Sequence, residues 1–385
     1  MGKGYRETRS EIDKPTVCNQ QGGGAENLRL LSSIAENPKG KKGENKVKRR
    51  VLLWLPIIVL LVFTGLVSAQ AEGPFTIAVV VKSEGNPFFE AAGVGCREAI
   101  AEIGAGDELV FLGPEVPTVE GQIEIIGALV AQGVDGISIS ANEPNALVPA
   151  CQRAQKAGIV VTSFDSFISP DGSQLFVNQA DMEQVGRIQI QMMGEMLGYK
   201  GQFAILSAGP TMANQNTWIS WMLEELAEPQ YADMELVAIV YGMDEREKSY
   251  SEAMGLFRSY PDLKGIVSPT TVGMAAVGRA IKDAELQGKV FLTGLGLPSE
   301  MAAYIREGIC PQMALWNPID LGYMATWVTR LLVAGEIKGE VGETFNVGRM
   351  GDREIVQDPA LGKVVLLGPP FVFDQENIDD WADVY

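Results

Sequence analysis

Histidine is absent from this 385-residue chain, which removes the commonest general base and the commonest transition-metal ligand. A serine nucleophile would therefore have no histidine to activate it. Phosphate-binding glycine loops are missing as well, because GAGD at 104–107 and GLG at 294–296 lack the spacing of the nucleotide-binding motifs. We expect no catalytic centre, no bound metal and no cofactor.

Cysteine is scarce. Cys18, Cys96, Cys151 and Cys310 are far apart and follow no metal-ligand spacing. Cys96 and Cys151 stand in helix-like stretches, so we predict that both are small buried hydrophobic residues. Because no cysteine occurs at 63–70, after the apolar segment described below, a lipid-anchored lipoprotein is not expected.

Positive charge is outnumbered: 31 Lys and Arg stand against 49 Asp and Glu, a net charge of −18. Many of the basic residues fall within the first 50 positions, so the rest of the chain is more acidic still. This balance argues against nucleic acid or an anionic membrane surface as the partner.

One long apolar run is present near the N-terminus. The basic triplet 48–50 precedes an uncharged stretch at 51–67, and an A-x-A cleavage signal follows at 69–71. The run is also long enough to span a bilayer, so residues 51–71 are predicted to be a signal peptide or a membrane anchor, with cleavage favoured. The working part of the protein is therefore expected outside the cytoplasmic membrane, in contact with the membrane only if this segment is not cleaved.

The first 50 residues are polar and show no apolar periodicity. They are predicted to be a disordered leader, or to reflect a start site placed too far upstream. Translation beginning near Val47 gives a compact secretory signal.

From residue 75 onward, short β-rich runs alternate with amphipathic stretches. The predicted strands are 76–81, 109–113, 136–141, 159–165, 175–179, 202–207, 235–241, 265–270, 290–294, 312–317, 363–368 and 371–373. Most of these runs are apolar on both faces and end in Gly, Pro, Asn or Asp, which is typical of parallel strands covered by helices. The pattern predicts an α/β fold of two doubly wound parallel-sheet lobes.

A single helix at 320–334 is left over after the second round of strands and helices. If this helix packs on the first lobe, the chain crosses between the lobes three times. Two lobes joined in this way form a cleft that closes by a hinge motion. The predicted first lobe is 75–178 plus 318–343, and the predicted second lobe is 179–317 plus 344–385.

Ligands of open α/β sheets bind beyond the carboxyl ends of the strands. The polar stretches at those positions are 82–89, 142–144, 165, 207–210, 214–216, 268–271, 294–296 and 316–318. They supply amides, hydroxyls, one lysine, one aspartate and several aromatic rings, a set that suits a small neutral polyhydroxylated molecule.

Each of these residues also has a purely structural interpretation. Asn142 and Asn214–Asn216 are typical helix caps, and Phe88 or Phe89 fits a core position. Lys82 and Asp165 are harder to explain in this way, because each directly follows an apolar strand and needs a partner or solvent. The charge-rich MDEREKS loop at 243–249 is interpreted as a solvated surface.

At these residues the chain resembles the type I periplasmic sugar-binding proteins, in the branch of rhamnose-binding and autoinducer-2-binding receptors of ABC transporters. The matching stretches are VKSEGNPFFEAAGVG (81–95), the segment 113–166 containing ISA and SFDS, NQNTWI (214–219), GIVSPTTVGMAA (265–276) and ALWNPIDLGYMA (314–325). The resemblance covers nearly all of 75–385. It implies the periplasmic-binding-protein-like I fold and a monomer that delivers its ligand to ABC permease subunits.

The resemblance also implies site residues. The autoinducer-2 receptors hold their ligand with residues that match Lys82, Asp165, Asn214-Gln215, Pro269 and Thr271. An amide stands at 214 where the family has an aspartate, and Thr271 replaces a small apolar residue; both differences resemble the rhamnose branch.

We therefore expect an extracytoplasmic receptor for a deoxy-sugar such as L-rhamnose. The hydroxyl groups of the sugar are expected to bind Lys82, Asp165, Asn214, Gln215 and Asn317. The apolar faces of the sugar are expected to lie against Phe89 and Trp316.

Three alternatives remain. The first is an autoinducer-2 receptor. A transcription regulator of the same fold would need a DNA-binding segment before residue 75, where the export segment stands instead. A sugar-modifying enzyme would have only Asp165 and Glu84 as an acid/base pair.

Overall fold

The structure, a computed structural model, describes residues 73–385. The predictions for 1–50 and 51–71, and for Cys18, lie outside the described residues. Among residues 73–385, no helix is both long enough and apolar enough to cross a membrane.

Strands and helices alternate along the described chain. The strands are β1 (Thr76–Val80), β2 (Glu108–Leu112), β3 (Gly136–Ile139), β4 (Val160–Phe164), β5 (Phe176–Asn178), β6 (Lys200–Ser207), β7 (Asp233–Tyr241), β8 (Leu263–Ser268), β9 (Phe291–Gly294), β10 (Gln312–Leu315), β11 (Thr344–Asn346), β12 (Asp352–Glu354), β13 (Val356–Asp358), β14 (Gly362–Leu366) and β15 (Phe371–Asp374). The helices are α1 (Pro87–Ile103), α2 (Val119–Gln132), α3 (Val148–Lys156), α4 (Met182–Leu197), α5 (Ala213–Leu226), α6 (Arg246–Ser259), α7 (Thr271–Asp283), α8 (Pro298–Arg306), α9 (Pro318–Val333) and α10 (Ile378–Trp381).

The first lobe is built on a seven-stranded sheet in the order β13-β14-β5-β4-β3-β1-β2. Its neighbouring strands run parallel, except that β13 is antiparallel to β14. β1 lies between β3 and the edge strand β2, and its residues Ile77 to Val80 are fully buried. Strands of this kind read as continuous apolar runs because helices cover both faces of the sheet.

The second lobe repeats the design with four parallel strands in the order β7-β6-β8-β9. β10 lies beside β9 through a parallel bridge between Leu295 and Ala314, and β15 pairs with β10 in antiparallel fashion. The predicted α/β class with parallel sheets is confirmed.

The chain passes between the two sheets three times, after β5, after β10 and after β14. The third passage differs from the predicted one. Residues 344–385 were predicted to belong to the second lobe, but β14 pairs with β5 of the first sheet through Val364 and Phe176. The apolar run in β14 predicts a strand but carries no signal for the sheet edge that it joins, so the placement of 356–366 was wrong.

α9 packs against α1 in the first lobe with their backbones in contact. A Cβ atom added at Gly95 would stand 1.7 Å from the carbonyl oxygen of Ile319, and one added at Gly322 would stand 2.0 Å from that of Ala92. Only glycine permits so close an approach. These two glycines therefore hold the helix that follows the second passage against the first lobe.

Replacing Gly322 by alanine is expected to lower the free energy of unfolding by about 1–3 kcal/mol, because the added methyl group forces two helix backbones apart. The matched control is Gly127→Ala in α2, where an added Cβ meets nothing within 4 Å. There alanine is expected to raise the free energy of unfolding by about 0.5–1 kcal/mol through its helix propensity. Denaturant unfolding measures both, and equal effects of the two substitutions would contradict the close helix contact.

The cysteines of the described chain, Cys96, Cys151 and Cys310, are free and buried. Burial raises the pKa of the Cys96 and Cys151 thiols to about 12. The predicted burial of Cys96 and Cys151 as small hydrophobic residues is confirmed, and neither thiol is a reactive centre at neutral pH.

Candidate functional site

A cleft lies where the carboxyl ends of the strands of both lobes meet. In each sheet the first strand of the lobe, β1 or β6, sits between the next two strands of that lobe, and ligands of such sheets bind at this switch in strand order. The residues that line the cleft are Lys82, Asn86, Phe88, Phe89, Asp165, Asn214, Gln215, Trp218, Asp244, Pro269, Thr270, Thr271, Leu295, Leu315 and Trp316.

The polar centre of the cleft joins the two lobes. Lys82 follows β1, Asp165 follows β4, and Asn214 lies in the first turn of α5. Lys82 Nζ donates to Asn214 Oδ1 at 3.0 Å and lies 3.6 Å from Asp165 Oδ2. Side chains this deeply buried, with Lys82 at 2 % exposure and Asp165 at 4 %, carry charge only when paired.

The backbone at Asp165 has a positive φ of 56°, a left-handed conformation that few residues other than glycine adopt. Asp is among those that tolerate it, and the turn brings the carboxylate to the cleft directly after a buried strand. Ser140 Oγ donates to Asp165 Oδ2 at 2.6 Å and fixes its orientation. Strained conformations of this kind cluster at functional sites.

Two buried polar atoms of the cleft residues have no hydrogen-bond partner among residues 73–385. They are Oε1 of Gln215, an acceptor, and Nε1 of Trp316, a donor. Buried polar groups are nearly always hydrogen-bonded, and the exceptions need an explanation. Their position in the lining of one cleft points to a ligand that supplies both a donor and an acceptor.

Aromatic rings form one wall of the cleft. Trp316 stands edge-on to Phe88, with 6.1 Å between the ring centroids, and is tilted against Trp218 at 5.7 Å. Phe88 and Phe89, both in α1 of the first lobe, meet edge-on at 5.2 Å. The Trp218 Nε1–H donates to the sulfur of Met182, whereas the Trp316 Nε1–H has no acceptor within the described part of the chain. The wall is therefore apolar, with one polar edge available.

Asp244 enters the cleft from the loop after β7. Its Oδ1 accepts a hydrogen bond from Thr270 Oγ1, and its Oδ2 accepts one from Asn86 Nδ2 at 3.4 Å. Removal from water raises the pKa of the Asp244 carboxyl, and the charge of Asp165 adds to the rise; the Thr270 hydrogen bond and the charge of Lys82 oppose it. The interpretation of this loop as a purely solvated surface was wrong for Asp244.

A model of the periplasmic binding protein domain matches residues 77–337. The chain belongs to this family. Family membership and fold agree with the resemblance found in the sequence.

Solved structures and a curated relative extend the comparison. An ABC transporter solute binding protein from Clostridium phytofermentas with bound L-rhamnose is 38% identical, with a TM-score of 0.79 over 82% of this chain and 100% of that one. LsrB from Clostridium saccharobutylicum in complex with AI-2 is 22% identical, with a TM-score of 0.75 over 80% of this chain and 99% of that one, and shows the fold alone. The D-ribose/D-allose-binding protein of Pseudomonas aeruginosa is 26% identical over 270 residues, which cover 68% of this chain and 83% of that protein.

The structure of this periplasmic binding protein brings most of the predicted site residues together. Those that line the cleft are Lys82, Phe89, Asp165, Asn214, Gln215, Pro269, Thr271 and Trp316. Asn317 is not among the lining residues. Its Oδ1 accepts hydrogen bonds from the backbone N–H groups of Ile319 and Asp320 at the start of α9, at 2.9 and 3.4 Å.

Asn317→Ala is therefore expected to cost about 1 kcal/mol of unfolding free energy, the usual effect of losing an N-cap, and to leave ligand affinity unchanged. Asn317→Asp keeps the cap and should keep the stability. Thermal unfolding and calorimetric titration of the two variants separate the effects. A loss of affinity in both variants, without a loss of stability, would return this residue to the site.

Other amides in the predicted polar stretches serve the scaffold. Asn142 Nδ2 donates to the carbonyl oxygens of Lys82 and Thr118, and Asn216 Nδ2 donates to that of Pro210. Gln122 was not selected from the sequence, yet its side chain ties the ends of β1 and β3 together through Val81 and Ser140. Asn142 therefore positions the loop that carries Lys82 and does not line the cleft.

Four lining residues, Asn86, Phe88, Thr270 and Leu295, lie within the predicted stretches 82–89, 268–271 and 294–296 but were not named singly as site residues. Trp218, Asp244 and Leu315 also line the cleft and lie outside those stretches. All but Trp218 lie at or just beyond the carboxyl end of a strand, which was the available signal. Trp218 lies one helical turn beyond Asn214 in α5, on the same face, and the helical period alone could have found it.

Proposed function

We propose that this protein is the solute-binding component of an ABC importer and that it captures a neutral deoxy-sugar, L-rhamnose by preference, in the cleft between its lobes. One observation carries the proposal. A buried cluster of charged and amide groups lines the cleft beside an aromatic wall, and two polar atoms of the lining residues have no partner in the described chain, 73–385.

This combination suits a sugar for geometric reasons. A sugar hydroxyl both donates and accepts, so Asp165 can accept while Lys82 donates, and the amides of Asn214 and Gln215 can do either. Charge-assisted bonds of this kind are about twice as strong as neutral ones. The C–H faces of the ring would lie against the aromatic wall at Trp316, in the usual arrangement of an apolar pocket with few polar groups.

A deoxy-sugar is favoured over a fully hydroxylated hexose by the apolar side chains in the lining of the cleft. Leu295, Leu315 and Trp218 are among the lining residues, and all three belong to the second lobe. Burial of the sugar's methyl group against these side chains is favourable for binding. A hydroxyl group in its place would need a hydrogen-bond partner, which leucine does not provide. The 38% identical relative from Clostridium phytofermentas holds L-rhamnose, which supports the same choice.

Family membership supports the setting in which the protein works. Periplasmic binding proteins act outside the cytoplasmic membrane, which agrees with the export segment read from the sequence. Closure of the lobes around the sugar would present surfaces of both lobes to permease subunits of the transporter. No step in this scheme requires bond making, so the protein acts as a carrier and not as an enzyme.

A thermal-shift screen tests the proposal, because a ligand that binds only the folded state raises the melting temperature by mass action. The panel contains L-rhamnose, other hexoses, pentoses and autoinducer-2. At a ligand concentration of about 100 Kd the stabilisation is about 2.7 kcal/mol. A rise with L-rhamnose and none with autoinducer-2 is expected. The reverse pattern would replace the sugar-uptake proposal by signal uptake.

A further inference from the structure

Asp244 contacts both lobes at once. Its two carboxylate oxygens are each engaged by a protein donor, Thr270 Oγ1 from the second lobe and Asn86 Nδ2 from the first. We call this set, Asn86, Asp244 and Thr270, the inter-lobe bridge. Asp244 therefore connects the two lobes directly, through one hydrogen bond to each of its carboxylate oxygens.

Each member of the bridge is oriented by its own local structure. Asn86 is the N-cap of α1, and its Oδ1 accepts from the Phe88 N–H at 3.0 Å. Because the oxygen is committed to the cap, the amide nitrogen must face away from the helix, and it faces Asp244. Thr270 stands at the N-cap position of α7, yet its hydroxyl makes no bond to that helix and donates to Asp244 instead.

The loop that carries Asp244 is held in an uncommon conformation. Met243 and Asp244 have φ values of 56° and 55°, two successive left-handed residues of which neither is glycine. Such conformations persist only where the surrounding structure over-determines them, and they cluster at clamps and switches. The neighbouring Glu245 and Arg246 are exposed, so this turn specifically directs Asp244 toward the cleft.

We propose that the inter-lobe bridge is a closure device: Asp244 links Asn86 of the first lobe to Thr270 of the second, favours the closed arrangement, and slows release of the bound sugar. Asp244 is thus a positioning residue that acts through Asn86 and Thr270. The kinetic part of this inference rests on the proposed function, whereas the effect on lobe closure does not.

A double-mutant cycle on the full protein tests the bridge. Asp244→Ala is expected to raise the dissociation rate of L-rhamnose about tenfold, the effect of losing one hydrogen bond to a charged group, with little change in the association rate. Asn86→Ser keeps the helix cap but does not reach Asp244, and it should raise the dissociation rate similarly. The double variant should be no faster than either single variant, because both remove the same contact. Glu245→Gln, in the same loop, is the matched control and should change nothing.

X-ray scattering of the same variants supplies a readout that needs no ligand. Asp244→Ala and Asn86→Ser are expected to have a larger radius of gyration than the parent protein in the same buffer. If the parent binds no sugar but the variants expand, the proposed ligand is wrong and the bridge stands. If the parent binds L-rhamnose but the variants change neither the dissociation rate nor the radius, or if their kinetic effects are additive, the bridge is overturned and the proposed function stands.

Discussion

Asp165→Ala is expected to weaken sugar binding by about 2–4 kcal/mol, the effect of removing one partner of a buried, hydrogen-bonded charge pair. The alanine removes the carboxylate that accepts from Ser140 at 2.6 Å and leaves Lys82 buried without its nearby opposite charge. Breaking a buried pair in this way also destabilises the fold. Isothermal titration with L-rhamnose measures the affinity, and denaturant unfolding in parallel separates the two effects.

Asp165→Asn separates the loss of the carboxylate charge from the effect of backbone strain. Asparagine tolerates the left-handed backbone at this position at least as well as aspartate, whereas alanine does not, so part of the alanine effect is backbone strain. We expect the asparagine variant to remain folded and to bind less tightly than the parent protein. Asp171→Ala, in an exposed loop of the same lobe, is the control for loss of charge and should bind normally. Unchanged affinity in both Asp165 variants would remove this residue from the site.

Trp316→Ala is expected to produce the other large effect, on stability and binding together. The indole is 4 % exposed and packs against Phe88 and Trp218, so truncation should cost about 3–5 kcal/mol of unfolding free energy. Binding should fall by at least about 2 kcal/mol, since a central aromatic wall of this kind is a typical hot spot.

Trp316→Phe separates packing from hydrogen bonding. Phenylalanine keeps most of the apolar contact but lacks the Nε1 donor, which has no acceptor among residues 73–385. We expect stability to change little and affinity to fall by about 1 kcal/mol, because only the bound sugar would use that donor. Unchanged affinity in the phenylalanine variant would show that the ligand does not use this donor, and unchanged affinity in both variants would remove Trp316 from the site.

The sequence predicts the centre of the site well because parallel strands place their carboxyl ends along one edge of a sheet. Lys82 and Asp165 each directly follow an apolar strand, and such positions have few alternatives for a charged residue. Asn214 and Gln215 are found in the first turn of α5, which begins at Ala213.

Asp244 was missed for a physical reason. It stands among the charged residues of the MDEREKS segment, and most of the neighbouring side chains are exposed. What turns Asp244 inward is the pair of left-handed residues at 243 and 244, and no local pattern specifies that turn. Its contacts with Asn86 and Thr270 join residues that lie 158 and 26 positions away in the chain.

Asn317 and β14 are two further places where the structure differs from the prediction made from the sequence. An asparagine before a proline at a helix start fits an N-cap, and Pro318 at the first helical position was the signal that favoured the cap over a ligand contact. The edge at which β14 joins the first sheet depends on long-range pairing with β5, which the apolar run does not encode.

The central claim is that the cleft binds a deoxy-sugar through buried polar groups and an apolar wall. Calorimetric titration of the protein with L-rhamnose and with L-mannose, which differs by a hydroxyl in place of a hydrogen at carbon 6, tests it most directly. Saturable one-to-one binding of L-rhamnose is predicted, with L-mannose weaker by about tenfold or more because its extra hydroxyl would meet leucine side chains. Equal affinity for the two sugars, or binding of L-mannose alone, would contradict the role proposed for the leucine side chains of the cleft.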